Sequence, residues 1–358
     1  MNSPTRTGVA ASVLAALLFG ASVPLTKPLL DHMGPWLLAA LLYLGSGLGL
    51  ALVRLVRRQP LEALAPGEWR WLAGAIVAGG MVGPVLLMLG LAHMPAASAS
   101  LLLNTEAVLT ALLAWFVFRE NVDRRIVLGM CAIVAGGVLL SWPAQGLPQQ
   151  APTGGLWPVL AVVGACLAWG IDNNLTRKVS LGDAGQIAMF KGLVAGATNL
   201  LIALVWGAKW PASHLVLAAS LLGFACYGAS LTLFVVGLRH LGTARTGAYF
   251  SIAPFVGAVL AVAWLGEPVT WPMAGAGVLM ALGVALHLTE RHVHQHTHAP
   301  LWHSHAHTHD DGHHGHTHED GSQDGPDRGS QSHTHGHSHT AMVHTHAHFP
   351  DAHHQHSH

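Results

Sequence analysis

Polar side chains stand inside two long apolar runs, where ionisable groups would serve transport chemistry. Charged groups within a bilayer are costly and commonly mark solute or proton pathways. The polar residues of these runs are Asn104, Glu106, Asp172, Asn173 and Asn174. A carboxyl at Glu106 could exchange a proton against a cation, and the oxygens beginning at Asp172 suit a cation or a polar solute. Hydrogen bonds between helices are the competing interpretation for both runs.

Four further charged residues lie near the ends of apolar runs, namely Lys27, Lys191, Glu120 and Glu267. The two lysines could neutralise the buried acids, and Lys27 could instead bind an anionic substrate. Alternatively, a lysine near a helix end extends its ammonium to the membrane surface. A carboxylate at a helix C-terminus is disfavoured by the helix dipole, so Glu120 and Glu267 predict a partner or a gating role. An ordinary interfacial charge is the alternative.

The segment after Arg291 differs from the rest of the chain, because it holds 23 of the 28 histidines. Alternate residues of an extended chain share one side, so His-x-His imidazoles can converge on one ion. Imidazole suits zinc, nickel and cobalt. The candidate ligands are His292, His294, His296, His298, His303, His305, His307, His309, His313, His314, His316, His318, His333, His335, His337 and His339. The alternatives are a low-complexity solvating tail or a pH-responsive polycation.

Composition indicates that lipid surrounds the remainder of the chain. Hydrophobic residues make up 51% and charged residues only 9%, against about 25% charged in soluble domains. A spanning helix needs about 20 mostly apolar residues. Ten such stretches are predicted, at 8–30, 35–54, 70–91, 95–118, 125–142, 156–178, 186–206, 214–237, 243–265 and 271–289. Neither a nucleophile–base set, nor a phosphate loop, nor a basic nucleic-acid patch is evident, so we expect no enzyme, no nucleic-acid partner and no tightly bound cofactor.

Arginine and lysine concentrate in the loops after the second, fourth, sixth and eighth predicted helices. The positive-inside rule therefore predicts cytoplasmic N- and C-termini in a bacterial-type inner membrane. The sequence also repeats. Gly90-Leu91-Ala92-His93 matches Gly237-Leu238-Arg239-His240 at a shift of 147, and Phe19-Gly20 matches Trp169-Gly170 at a shift of 150. Because five helices is an odd number, the second copy must enter the membrane from the opposite side, as in transporters with inverted repeats.

The two halves resemble the EamA family of the drug/metabolite transporter superfamily. The resemblance covers about residues 8–290 and rests on LLFGASVPLTK and LAWGIDNNLTR, followed by TEAVLTALLAWFVFRE and IAPFVGAVLAVAWLGE. It implies ten helices and secondary transport of small solutes, and it does not define the substrate. The chain departs from the pattern where Pro254 of the second half aligns with Ala107, directly after Glu106.

These observations predict an all-α membrane protein of ten transmembrane helices in two inverted five-helix repeats, followed by a disordered tail. The predicted divisions are 8–142 and 156–290 for the repeats, 143–155 for the linker and 291–358 for the tail. We expect export of a small solute, with divalent Ni, Co or Zn collected by the tail as one version. The alternatives are a metabolite or amino-acid exporter whose tail is a metal or pH regulator, and a membrane-anchored metal buffer or sensor that transports nothing. A homodimer is compatible with the sequence.

Overall fold

The computed structural model describes residues 3–61, 64, 67–118, 124–141, 155–176, 179, 183–288, 293–298, 301–307, 333–339 and 342–347. The chain divides into two units, residues 1–290 and residues 291–358. The first unit is helical. Its α-helices are α1 (Ser3–Thr26), α2 (Pro35–Val56), α3 (Glu68–Ala75), α4 (Gly83–Ala92), α5 (Ala96–Leu102), α6 (Thr105–Phe118), α7 (Arg124–Ser141), α8 (Trp157–Thr176), α9 (Ala184–Val205), α10 (Ser213–Leu222), α11 (Ser230–Phe250), α12 (Ala253–Leu265) and α13 (Trp271–Leu288).

Eight helical segments among the described residues are long and apolar enough to cross a membrane. They are Arg6–Asp31, Pro35–Val56, Glu68–Ala92, Ala96–Val117, Arg124–Ser141, Trp157–Thr176, Gly185–Val205 and Ser213–Gly237. Two shorter apolar helices, Ala253–Leu265 and Trp271–Leu286, follow them. Large apolar side chains such as Leu52, Phe116 and Val205 are exposed on the outside of these helices. Exposed apolar surface on this scale marks contact with a membrane or a partner, and together with the spans it makes this a multi-pass membrane protein.

The boundary predicted between the eighth and ninth helices, at 237–243, is absent. α11 runs unbroken from Ser230 to Phe250, and the chain breaks instead at Ser251 and Ile252, before α12. In the first half the equivalent helices do separate, and α5 follows Pro95. The second half has Gly242 at the position of Pro95. Because glycine keeps its backbone N–H and proline does not, a helix can continue through Gly242 but is interrupted at Pro95.

The repeated halves pack with equivalent helices against each other. α2 lies on α9, with Leu44 against Gly196 and Gly47 against Gly192. Positions therefore advance along α2 as they recede along α9, so the two helices are antiparallel. α7 lies on α13 in the same sense, because Gly283 packs on Gly129 near the start of α7. A Cβ at Gly47, Gly192, Gly196 or Gly283 would meet neighbouring backbone, so small residues set the close approach of the helices.

Both halves also contain one π-helical segment, at Ile76–Val82 between α3 and α4 and at Gly223–Ala229 between α10 and α11. The two segments coincide at the repeat shift of 147. A π-helix displaces the regular hydrogen-bond ladder and is frequent at functional sites. The break between α5 and α6, at Leu103 and Asn104, recurs between α11 and α12 within one residue of the same shift, at Ser251 and Ile252. Local irregularity is therefore duplicated together with the helices.

The second unit contains four short strands, β1 (Val293–His298), β2 (Leu301–His307), β3 (His333–His339) and β4 (Met342–Ala347). β1 pairs antiparallel with β4, and β2 pairs antiparallel with β3. The disorder predicted for the tail is not what the structure has in these segments. Their His-x-His alternation has the period of two that an extended strand follows, and two such segments can satisfy their backbone groups by pairing.

Candidate functional site

The π-helical segment between α3 and α4 supplies a carbonyl group that anchors two neighbouring helices. The Gly79 carbonyl accepts a hydrogen bond from the Tyr43 hydroxyl at 2.8 Å and another from the Trp169 indole N–H at 3.0 Å. Gly79 has no side chain, and a Cβ there would collide with the Asp172 carboxylate. The segment thereby brings α2, α8 and the third predicted helix together around Asp172.

Asp172 forms a buried ion pair with Lys191. The Lys191 ammonium lies 2.6 Å from Oδ1 and 2.5 Å from Oδ2 of Asp172. The Thr176 hydroxyl also donates to Oδ1, at 2.8 Å. Both side chains of the pair are largely buried, at 16% exposed for Lys191 and 8% for Asp172. The counter-ion relation expected between the lysines and the buried acids is therefore present for Lys191.

Glu106 lies beside this pair and is bridged to α8 by Asn173, whose amide donates to Oε1 of Glu106 at 2.8 Å. Asn173 is exposed, although it shares a face of α8 with Cys166 and Gly170, which are buried. Residues three and seven apart lie on one helix face, so Asn173 does not belong to the lipid-facing stripe. Its exposed position is near the C-terminal end of α8, where its side chain contacts Glu106 of α6.

Two other predicted polar residues take part in helix contacts. The Asn174 amide donates to the Gly170 carbonyl at 2.8 Å and to the Thr110 carbonyl of α6 at 3.4 Å. Asn104 is buried at the α5–α6 break, where its amide donates to the Leu101 carbonyl at 2.9 Å. The structure thus brings Glu106, Asp172, Asn173 and Lys191 together, and it leaves Asn104 outside the group.

Lys27 and Glu267 lie together at a different place, around the turn that joins α4 to α5. Lys27 donates to the Leu91 carbonyl at 2.5 Å and to the Met94 carbonyl at 3.0 Å. Glu267 accepts hydrogen bonds from the backbone N–H groups of Ala96, at 2.7 Å, and Ala97, at 2.8 Å. Glu267 therefore contacts the backbone of the other half. Glu120 lies outside the described residues.

An ion pair that the sequence reasoning did not identify joins α2 to the start of α9. Arg54 lies 2.8 Å from Asp183, which also accepts a hydrogen bond from the Gln186 N–H at 2.9 Å. Partial burial opposes ionisation of Asp183, but its hydrogen bonds from Arg54 and Gln186 outweigh that cost and lower the pKa of the carboxyl. The signal available in the sequence was an arginine inside the apolar run 35–54.

The histidine tail is described only by its backbone. The strand register sets His294 opposite His346 and His296 opposite His344 in one ladder. In the other ladder, His303, His305 and His307 stand opposite His337, His335 and His333. The candidate ligands His292, His309, His313, His314, His316 and His318 lie outside the described residues, and His298 and His339 stand opposite Met342 and Leu301. Within the described part of the chain, no three His, Cys, Asp or Glu residues form a group that could hold a metal ion.

The cluster of Glu106, Asn173, Asp172, Lys191 and Thr176 can bind polar groups in an apolar surrounding. Glu106 offers a carboxylate that can hold a proton or an ammonium group. Asp172 and Lys191 compensate each other, which is the arrangement that buried charges require. Sequence reasoning found the charged members but missed Gly79, Tyr43 and Trp169, which position them. Their spacing carries no motif, because their hydrogen bonds depend on the π-helical segment.

Comparison with known proteins places the chain in a family. The model of the EamA-like transporter family matches residues 6–142 and again residues 156–289. An uncharacterized transporter of Methanothermobacter thermautotrophicus is 28% identical over 295 residues, which cover 77% of this chain and 84% of that protein. A probable amino-acid metabolite efflux pump of Salmonella typhimurium is 26% identical, over 75% of this chain and 91% of that protein. A protein of known crystal structure shares the fold with a TM-score of 0.58 and 21% identity, over 79% of this chain and 96% of that one. The chain belongs to the EamA-like transporter family.

Proposed function

We propose that this protein is a secondary exporter of small amino-acid-like solutes, and that its ten helices form two inverted five-helix halves. The eight spans and the two shorter apolar helices would make up the ten. The antiparallel packing of α2 on α9 and of α7 on α13 supports the inversion, since a two-fold axis in the membrane plane reverses each helix relative to its mate. Cytoplasmic termini in a bacterial inner membrane follow from the positive-inside bias of the loops.

The observation that carries the proposal is the exposed Glu106–Asn173 contact between α6 and α8. Sites in transporters with inverted repeats lie near the midplane between the halves, and Glu106 lies near the middle of the fourth predicted helix. A carboxylate at such a position can bind the ammonium group of an amino acid or exchange a proton. The efflux pump of Salmonella typhimurium, which covers most of this chain, supports the same substrate class.

Accumulation of radiolabelled amino acids in inside-out vesicles, with and without a proton gradient, tests this proposal. Glu106→Gln keeps the size of the side chain and removes its charge. We expect gradient-dependent accumulation of at least one amino acid by the unchanged chain. We expect the variant to lose about tenfold or more of it, which is the effect of losing one charge-assisted interaction.

Glu68→Gln is the matched control, because it makes the same change at the start of α3, outside the cluster. This control should transport like the unchanged chain. Equal accumulation by the Glu106→Gln variant and the unchanged chain would remove Glu106 from the mechanism. Failure of the unchanged chain to accumulate any amino acid would refute the substrate class.

Metal export is a second candidate, favoured by the register that sets histidine opposite histidine at five positions of the tail. Paired imidazoles on adjacent strands would suit zinc, nickel or cobalt. The membrane cluster argues for an organic cargo instead, because the Lys191 ammonium repels a divalent cation beside Asp172. We therefore propose that the tail binds metal as a regulator.

A chain ending at Glu290 separates the two roles of the tail in the same vesicles. With the tail as regulator, amino-acid export by the full chain responds to added zinc and export by the shortened chain does not. If labelled nickel, cobalt or zinc accumulates with the gradient and less so after truncation, the metal is the cargo. If neither chain accumulates solute or metal while the tail still binds zinc, the protein is a membrane-anchored buffer or sensor.

A further inference from the structure

Glu267 joins the two halves of the molecule at the end of the membrane domain where α4 gives way to α5. Its two carboxylate oxygens accept the Ala96 and Ala97 N–H groups, at 2.7 and 2.8 Å. Glu267 belongs to the second matched half, residues 156–289, and both alanines belong to the first, residues 6–142. Gly266 ends α12 with φ +68°, a left-handed conformation that favours glycine at this position. The chain reverses there and delivers Glu267 to α5.

The two helices behind this contact, α5 and α12, pack closely against each other. Ser100 of α5 is 1% exposed. A Cβ at Gly257 of α12 would lie only 2.7 Å from the Ser100 Oγ, so these two positions touch. Lys27 holds the preceding turn through the carbonyls of Leu91 and Met94. A solute therefore cannot pass between α5 and α12 at this level.

The repeat-related position in the other half, Gly247, is less tightly packed among the described residues. The shift of 147 carries Ser100 to Gly247 and relates Thr110 to Gly257. Among the described residues, no atom lies within 4 Å of a Cβ built at Gly247. The amides equivalent to those of Ala96 and Ala97 belong to residues 243 and 244, a threonine and an alanine inside the unbroken helix α11. Helix carbonyls accept such amides, so they are not free to bind a carboxylate in this structure.

We propose that Glu267 is the latch of one of two alternating gates, closed here, and that transport requires its release from Ala96 and Ala97. The inference rests on the proposed alternating-access function. On the opposite side, the amides of Thr243 and Ala244 become available as donors only if α11 breaks there. With cytoplasmic termini, Glu267 closes the extracytoplasmic side.

Cysteine accessibility at the two repeat-related positions tests the latch without any substrate. Ser100→Cys and Gly247→Cys are introduced singly into a full-length chain whose Cys131, Cys166 and Cys226 are replaced by Ala. A membrane-impermeant maleimide is then applied to each face of oriented vesicles. With Glu267 present, the Gly247→Cys reporter should react and the Ser100→Cys reporter should not.

Glu267→Ala should raise the labelling rate of the Ser100→Cys reporter about tenfold, the effect of losing one charge-assisted hydrogen bond or more. The Gly247→Cys reporter should become slower in the same background. Asp31→Asn, a charge removal at an exposed position on the same side, should leave both rates unchanged. Unchanged labelling of the Ser100→Cys reporter would overturn the latch. A rise at both reporters would overturn it as well, because it would indicate general loosening.

The transport assay keeps the two proposals separable. Reciprocal labelling in a chain that moves no amino acid would support the latch and refute the proposed substrate class. If the chain transports amino acids but the labelling rates of both reporters are the same with and without Glu267, the latch is refuted and the proposed function stands.

Discussion

Two repeat-related helix pairs of this protein differ in how tightly they close. α1 packs on α12, and a Cβ at Gly20 would lie 2.9 Å from the Val256 Cβ and closer still to the Ala253 carbonyl. α8 packs on α6, and a Cβ at the equivalent Gly170 would have its nearest neighbour at 3.2 Å, in Thr110. Equivalent helices of the repeat therefore form a closed contact in the α1–α12 pair and a looser contact in the α8–α6 pair.

The difference extends to the polar cluster. Val23 and Ala253 on the closed pair are each 1% exposed. Their counterparts on the looser pair are Asn173, which is exposed, and Glu106, which is half-buried. The polar residues and the more exposed positions therefore belong to the same helix pair, α6 and α8. The comparison teaches that the asymmetry of conformation is matched by an asymmetry of residues, so the halves are not interchangeable during transport.

The largest effect should come from replacing the ion pair of the second half by the residues at the equivalent positions of the first half. The repeat relates Lys191 to Leu44 and Asp172 to Ser22. Lys191→Leu leaves a buried carboxylate without its cation, which costs about 3–5 kcal/mol. We expect a correspondingly lower melting temperature of the purified protein in detergent.

The double variant Asp172→Ser with Lys191→Leu removes both charges and serves as the matched control. We expect its melting temperature to return most of the way to that of the unchanged chain, because replacing a whole buried pair is often neutral. Its transport should still be lost if the pair belongs to the solute site. A double variant as unstable as Lys191→Leu would show that Asp172 is not the reason for the loss.

Packing at the two glycines gives a smaller effect. Gly20→Ala forces a methyl group against the Ala253 carbonyl, so we expect overpacking to cost about 1–3 kcal/mol. Gly170→Ala needs a shift of only a few tenths of an ångström, and the gain in helix propensity of about 1 kcal/mol offsets it. Melting temperatures of the two variants should therefore differ clearly. Equal losses would mean that the two helix pairs are equally closed.

The sequence could predict much of this architecture but little of the asymmetry. Apolar runs located the spans, and a partner for Glu267 was one of the interpretations that its place at a helix end allowed. The π-helical segments at Ile76–Val82 and Gly223–Ala229 were missed, since their residues are as apolar as those of an α-helix. The break expected at 237–243 was wrong because hydropathy does not show whether a helix continues through a glycine.

The candidate site shows the same limit. Glu106 and Asp172 could be chosen from the sequence because charge is conspicuous in an apolar run. The pairing of Asp172 with Lys191, and of Glu106 with Asn173, depends on how α6, α8 and α9 pack. Repeat mates such as Asn173 and Val23 differ in exposure because their helix pairs pack differently. Tertiary packing, which no local pattern encodes, decides such differences.

The smallest effect extends the comparison to the two ends of α2 and α9. Arg54 and Asp183 form an ion pair at one end, whereas Trp36 and Trp206 meet at the other with ring centroids 4.6 Å apart. The repeat relates Asp183 to Trp36, so only one end of this helix pair responds to acid. Partial burial raises the pKa of Asp183, but the hydrogen bonds from Arg54 and Gln186 lower it by more, so the pKa lies below its ordinary value.

A carboxyl with a lowered folded-state pKa stabilises the protein above its unfolded pKa of about 3.9, and this contribution is lost as the pH falls through the folded value. Asp183→Asn keeps a residue that caps α9 and removes the charge. We expect the variant to be less stable by about 0.5–1 kcal/mol at pH 7, and to approach the stability of the unchanged chain as the pH falls through the folded-state pKa of Asp183. Melting temperatures across this range measure the difference, and Asp31→Asn should show none. A deficit that stays constant with pH would mean that the ion pair with Arg54 is not its cause, and that both ends of α2 and α9 are held by packing alone.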